Sequence, residues 1–140
     1  RRAGLDQWEN IYAGIQYSPD ADNSGTNAFS QKMQDEYGNP GDSYSAVCYS
    51  AVKEFERAIN NAESLSPTDI ASAIEGNPTF QHTKTEEEWR ACDNQAIQDW
   101  YIVQGKPPAD EENEWDIFSV EGSVGGPQLL AACDDPMYSE

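Results

Sequence analysis

"SYSAVCYSAVKEFERAINNA" (residues 43 to 62) is the stretch on which the fold turns. Tyr44, Val47, Cys48, Ala51, Val52, Phe55 and Ile59 recur at the i, i+3, i+4, i+7 spacing of one helix face. Ser43 is placed to cap its N-terminus. A helix with an apolar stripe of this length has to bury it, most simply on a sheet. On this reading Cys48 is a small apolar residue of the core.

Outward from this helix the chain alternates in type. "SLSPTDIASAIEGN" (64 to 77) predicts a short helix with Ser66 as N-cap, Pro67 at the first position, Asp69 complementing the dipole and Gly76 ending it. Upstream, "SGTNAFSQKMQDEY" (24 to 37) predicts another, capped by Ser24 and stopped by Gly38, with Phe29, Met33 and Tyr37 on one face. Before it, "NIYAGIQYS" (10 to 18) alternates as a strand does, and "PDADNSG" (19 to 25) is a polar turn. Downstream, "TFQHT" (79 to 83), "AIQDWYIVQ" (96 to 104) and "EWDIFSVEG" (114 to 122) have strand character. The last two are joined by "GKPPADEEN" (105 to 113), too proline-rich and charged for a core. The order strand, helices, strands predicts an α/β fold. It is thin for an independent domain, and "RRAGLDQWENIYAGI" runs almost at once into the first strand, so the chain reads as a piece of a longer protein. The division expected is 1–122 for the fold and 123–140 for a Gly/Pro-broken acidic tail.

Among 140 residues, 26 are acidic and 8 are Lys or Arg, a formal net charge of −18. Nucleic acid is excluded as a partner, because phosphate neutralisation needs cations, and an anionic membrane surface is disfavoured for the same reason. Four Trp, seven Tyr and four Phe argue for a folded chain rather than a disordered one. An acid-coated folded domain suits high salt: at 1 M the Debye length is about 3 Å, so neighbouring carboxylates hardly repel. A halophilic origin is expected on this ground.

The chain offers little to catalysis. Its only histidine, His82, lies ten residues before Cys92, with no glycine-rich oxyanion turn nearby. "EEEWRA" (86 to 91) puts negative charge beside that thiol, which raises its pKa rather than lowering it. His82 reads as an ordinary strand residue, and Glu86, Glu87 and Glu88 read as a solvated face. "DADN" (20 to 23) lacks the glycine and terminal glutamate of a calcium loop. Three cysteines and one histidine form no zinc set at the usual spacing, and no nucleotide fingerprint is present. No catalytic residue, metal or cofactor is therefore assigned. Cys92 and Cys133 sit in polar late segments, as disulfide partners of oxidising compartments do.

The order of motifs resembles a known family. "YAGIQY" (12 to 17), "NAFSQKMQDEYGNPGDSYS" (27 to 45), "YSAVKEFERAINNAESLSPTDIASAIEGNPTFQ" (49 to 81), "WRACDNQAIQDWYIVQG" (89 to 105) and "WDIFSVEG" (115 to 122) are together similar to the C-terminal third of a type I extracellular solute-binding protein. These are the branched-chain amino acid binding subunits of ABC importers. The resemblance implies two α/β lobes that the chain crosses three times, with ligand in the cleft between them. It implies helices packed on a mostly parallel sheet, incomplete in a lone chain. It implies an amino-acid or amide ligand, importer membrane subunits as partners, and an extracellular or cell-surface location. "RACDNQA" (90 to 96) becomes a structural turn, with Asp93 and Gln95 bonded to nearby backbone and Cys92 available to pair with Cys133. One ligand contact carries over: Tyr44, at the cleft-facing start of the long helix, stacks on a ligand side chain.

A second reading is structural. Without the rest of the sheet, Tyr44, Val47, Val52, Phe55 and Ile59 are left uncovered. At about 25 cal/mol per Å², covering about 400 Å² contributes on the order of 10 kcal/mol before association costs. The chain is then expected to pair with the missing fragment or with copies of itself, up to a filament or tube.

Overall fold

The computed structural model describes residues 7–84 and 86–134. The chain runs β1 (Tyr12–Ile15), α1 (Ser24–Tyr37), α2 (Ser43–Ala62), α3 (Pro67–Gly76), β2 (Thr79–Phe80), β3 (Glu87–Arg90), β4 (Gln95–Ile97), β5 (Trp100–Gly105) and β6 (Phe118–Val124). All three helices stand where their sequence patterns place them. Their caps differ by one residue in two cases. Asn23, not Ser24, caps α1 by accepting from Thr26 N at 2.9 Å. Asp42, not Ser43, caps α2 through a reciprocal box with Ser45. The aspartate and asparagine win because their acceptor reaches the third backbone N–H of the helix. Ser66 and Gly38 hold the places expected of them, Gly38 in the left-handed conformation at φ 70°.

Two three-stranded sheets form, in the orders β1-β5-β6 and β2-β3-β4. Every pairing among the described residues is antiparallel, which corrects the expectation of a mostly parallel sheet. The register gives the reason. Ile15, at the end of β1, lies opposite Tyr101, near the start of β5. The chain leaves the first sheet and returns at the same end, so β5 has to run back along β1. The stretch 96–104 is therefore not one strand. It breaks at Gln98–Asp99, where the chain passes from the second sheet to the first. The first strand is shorter than its alternation suggested, and 79–83 is strand only over Thr79–Phe80. β6 runs to Val124, past the boundary drawn at 122.

Two clusters hold these parts. Tyr17, Phe29 and Ala46 are buried together, with Met33 and Tyr49 against them. The Tyr17 and Phe29 rings meet edge to face at 5.3 Å. Beneath the first sheet Ala21, Tyr101 and Val103 pack with Ile15, Phe118 and Val120. Gly25 is needed where α1 crosses the segment before β3, since a Cβ there would stand 1.9 Å from the Lys84 carbonyl.

The helix that decided the fold packs in the opposite sense to its pattern. Its buried residues are Ala46, Glu54 and Ala58. Tyr44, Val47, Val52 and Phe55 are exposed, and so is Cys48, the free cysteine, which is not the core residue expected. Within this chain the small alanines let α2 sit close to its neighbours. The larger apolar residues face outward and are left uncovered among the described residues.

Candidate functional site: the crossing segments and the start of the long helix

Two segments meet the first sheet at one end: 16–23, leading from β1 to α1, and 98–99, leading from β4 of the second sheet to β5. They are fastened to one another and to the helices. Tyr17 Oη donates to the Pro40 carbonyl at 2.8 Å, and Ser43 Oγ donates to the Tyr17 carbonyl at 3.2 Å. Asn23 Nδ2 donates to Tyr101 Oη at 3.0 Å. Thr26 Oγ1 donates to the Thr83 carbonyl at 3.0 Å. Lys84 Nζ donates to Gln98 Oε1 at 2.8 Å and to the Asp99 carbonyl at 2.6 Å. Burial is the main force on the nearby acids. It pushes the Tyr17 hydroxyl up to about 12. It raises the Asp20 carboxyl, with the charge of Asp116 adding to the effect.

Beside these segments lies a hollow of about 310 Å³, lined by Tyr17, Ser18, Asp20, Asp42, Ser43 and Trp115 among others. It combines aromatic faces, serine hydroxyls and carboxylates at the mouth of α2. Such a lining suits a small ligand with an apolar part and a cationic or amide group. Tyr44 follows directly, as the second residue of α2, and is 85% exposed. It is not a core residue, and it does not line the hollow itself.

A second cavity of about 100 Å³ lies between the inward face of α2 and the second sheet. Glu54 crosses it. Its carboxylate accepts from Arg57 Nε (2.9 Å) and Nη2 (2.7 Å), from Trp89 Nε1 (2.8 Å) and from His82 Nε2 (2.7 Å). Burial pushes this carboxyl up, but the hydrogen bonds outweigh it and hold it below the ordinary range. Glu87 is 4% exposed, and its Oε2 has no hydrogen-bond partner among the described residues. Burial pushes Glu87 up to about 7 and Lys84 down to about 8.

The sequence assigned these positions differently. His82 stands in a bend after β2 and is tied to Glu54, rather than being a plain strand residue. Of Glu86, Glu87 and Glu88 only the outer two are exposed. β3 turns Glu87 inward, as it does Trp89 two residues on, so the solvated-face reading fails at Glu87. The alternation of "EEWR" carried that signal. Cys92 and Cys133 are bonded to one another. Cys92 lies in the 91–94 turn between β3 and β4, where Asp93 pairs with Arg90 and accepts from Gln95 N at 3.2 Å. The turn is structural, as "RACDNQA" suggested, and Asn94 takes its left-handed position at φ 58°. Asn23 of "DADN" caps a helix. No metal-holding cluster of His, Cys, Asp or Glu is found among the described residues.

A sequence profile described as periplasmic binding protein matches residues 1–112. Among curated proteins none matches the chain. Solved structures do. A periplasmic binding protein from Burkholderia mallei superposes with TM-score 0.81 at 18% identity, covering 93% of this chain and 34% of that one. An amino acid ABC transporter substrate-binding protein from Pseudomonas fluorescens Pf-5 gives 0.77 at 28% identity, covering 89% and 33%. A branched-chain amino acid ABC transporter periplasmic ligand-binding protein from Burkholderia xenovorans LB400 gives 0.80 at 22% identity, covering 97% and 35%. The chain thus spans about a third of the length of these neighbours.

Proposed function

The chain belongs to the periplasmic binding protein family, and on that premise we propose that it is the receptor segment that closes the ligand cleft of an amino-acid-type ABC importer. It acts by binding, without catalysis, outside the cytoplasm. No described helix is long and apolar enough to cross a membrane. The observation that carries the reading is Tyr44, held open to solvent at the capped start of α2, next to a polar and aromatic hollow beside the crossing segments. An aromatic ring there stacks on the side chain of an amino acid or amide ligand. The likeness to the Pseudomonas fluorescens protein supports the ligand class.

The test is a chimera in which residues 8–122 replace the matching third of that Pseudomonas receptor. It is titrated calorimetrically with a panel of amino acids and their amides. Saturable binding that weakens about tenfold in Tyr44→Ala supports the proposal. A folded chimera that binds none of the panel refutes it.

The acid coat supports a high-salt habitat: circular dichroism should show structure gained as salt rises, and a salt-independent melting curve would reject it. The alternative of a self-assembling filament rests on the exposed stripe of α2 alone, and each copy would bring a net charge of −18 to the contact.

A further inference from the structure

Glu87 is buried at the wall of the small cavity between α2 and the second sheet. Its Oε2 has no hydrogen-bond partner among the described residues. A buried acceptor of this kind costs stability until an N–H or O–H donor meets it. The cations around it are committed elsewhere. Lys84 Nζ donates to Gln98 Oε1 and to the Asp99 carbonyl, and Arg57 grips Glu54.

The space, the walls and the charge together define what would fit. The cavity measures about 100 Å³. A water molecule's share of liquid volume is about 30 Å³, so an ion of a few heavy atoms has room. The volume falls short of the roughly 300 Å³ at which pockets for larger ligands begin. The walls combine the rings of Tyr17, Phe80 and Trp89 with the Ser50 and Thr83 hydroxyls, which share one hydrogen bond at 3.1 Å. An apolar guest would leave Oε2 unmet. Glu87 feels the charges of Glu54, Asp99 and Lys84, and Arg57 pairs with Glu54. With Glu87 ionised, three carboxylates stand against two cations, and one more positive charge balances the set. Aromatic faces favour a soft monovalent cation, and the unmet oxygen asks that the cation carry N–H.

We propose that this cavity binds a small ammonium ion, ammonium itself or methylammonium, which donates an N–H to Glu87 Oε2 and rests against the aromatic wall. Gln16, Tyr17 and Gln98 also line the cavity. The ion therefore ties α2 and the second sheet to both segments that meet the first sheet. The site lies apart from Tyr44, so a failure to bind amino acids leaves it standing.

The test titrates the full 140-residue chain with isotopically labelled ammonium chloride, read by heteronuclear magnetic resonance. The pH is set between the values of about 7 for Glu87 and about 8 for Lys84. Sodium chloride holds the ionic strength constant, since a chain of net charge −18 responds to any salt. Saturable binding of one ammonium per chain is expected. Glu87→Gln weakens it at least about tenfold. Glu88→Gln removes the same charge from an exposed neighbour and leaves binding unchanged. Ala51→Leu narrows the cavity from α2 with Glu87 intact and also weakens binding, which keeps the test open if Glu87→Gln fails to fold. Methylammonium competes and tetramethylammonium, which has no N–H, does not. A response that never saturates, or that is equal in the parent chain and Glu87→Gln, overturns the proposal and leaves Oε2 to water. Potassium competing as strongly as ammonium also overturns it, because the carboxylate then asks only for charge.

Discussion

On the inward face of α2 stand Ala46, Ser50, Glu54 and Ala58; on the outward face stand Tyr44, Val47, Val52 and Phe55. The inward face holds little apolar area, yet it is the one this chain covers. Its alanines permit close approach, and its single buried carboxylate is met by four N–H donors. The outward face has the area and is left bare. The contrast separates two jobs. Charge-assisted hydrogen bonds set where α2 sits, since a wrong placement would strand the buried charge. The larger apolar side chains contribute little to that placement, since they stand exposed.

The contrast breaks most sharply at Glu54. Glu54→Ala strands Arg57, His82 and Trp89 at once, and urea unfolding should show a loss of about 3–5 kcal/mol. A loss no larger than that of an outward substitution would erase the difference between the faces. Next is the clamp on the hairpin that carries Trp89. The Cys92–Cys133 bond joins residues 41 apart, and removing it should cost about 3–4 kcal/mol by the chain-entropy argument. Unreduced peptide mapping that finds free thiols at both positions would sink this prediction.

The third prediction concerns Glu87, the inward acid whose Oε2 has no hydrogen-bond partner among the described residues. Its folded pKa of about 7 lies above the ordinary 4.5. Between those values the folded chain keeps a proton that the unfolded chain has released, so stability at this site falls as pH rises from 4.5 to 7. Lys84, lowered from 10.5 to about 8, works in the other range: stability rises with pH from 8 to 10.5. The stability of the parent chain minus that of Glu87→Gln should therefore drop by about 2 kcal/mol from pH 4.5 to 7. A flat difference would mean that the carboxyl is solvated after all. The smallest effects are expected outside. Val52→Ser and Phe55→Ser should change the isolated chain by no more than about 0.5 kcal/mol. A larger loss would show that the stripe is already covered.

The helices were legible because capping and 3.6-residue periodicity are local properties. "SPTDIASAIEG" (66 to 76) carries its own start and stop. The family could be read from motif order for the same reason: each motif marks one local element. Which face of α2 turns inward was not legible. The periodic stripe names the apolar side correctly, but no described residue covers it, and the short polar and alanine positions of the other face gave no local sign that they pack inward. Glu87 and Lys84 were missed for a related cause. Lys84 is held by Gln98 and Asp99 from a later segment, Glu87 lines the same cavity as residues of α2, and no local pattern announces contacts of that range. The strand break at Gln98–Asp99 was hidden because both halves of 96–104 have strand composition.

That break sets the mechanics of the molecule. From Ile97 to Trp100 the chain can reach no further than about 11 Å at full extension, while the other connection between the sheets runs from β1 through all three helices before it reaches β2. The two tethers leave the first sheet side by side, since Ile15 lies opposite Tyr101. Under a pull that separates the sheets, the short tether goes taut first. Lys84, with its two hydrogen bonds to Gln98 and Asp99, is the rivet that feels the load. A force–extension trace across the two sheets should show a stiff early rise and a single rupture, not a gradual unzipping.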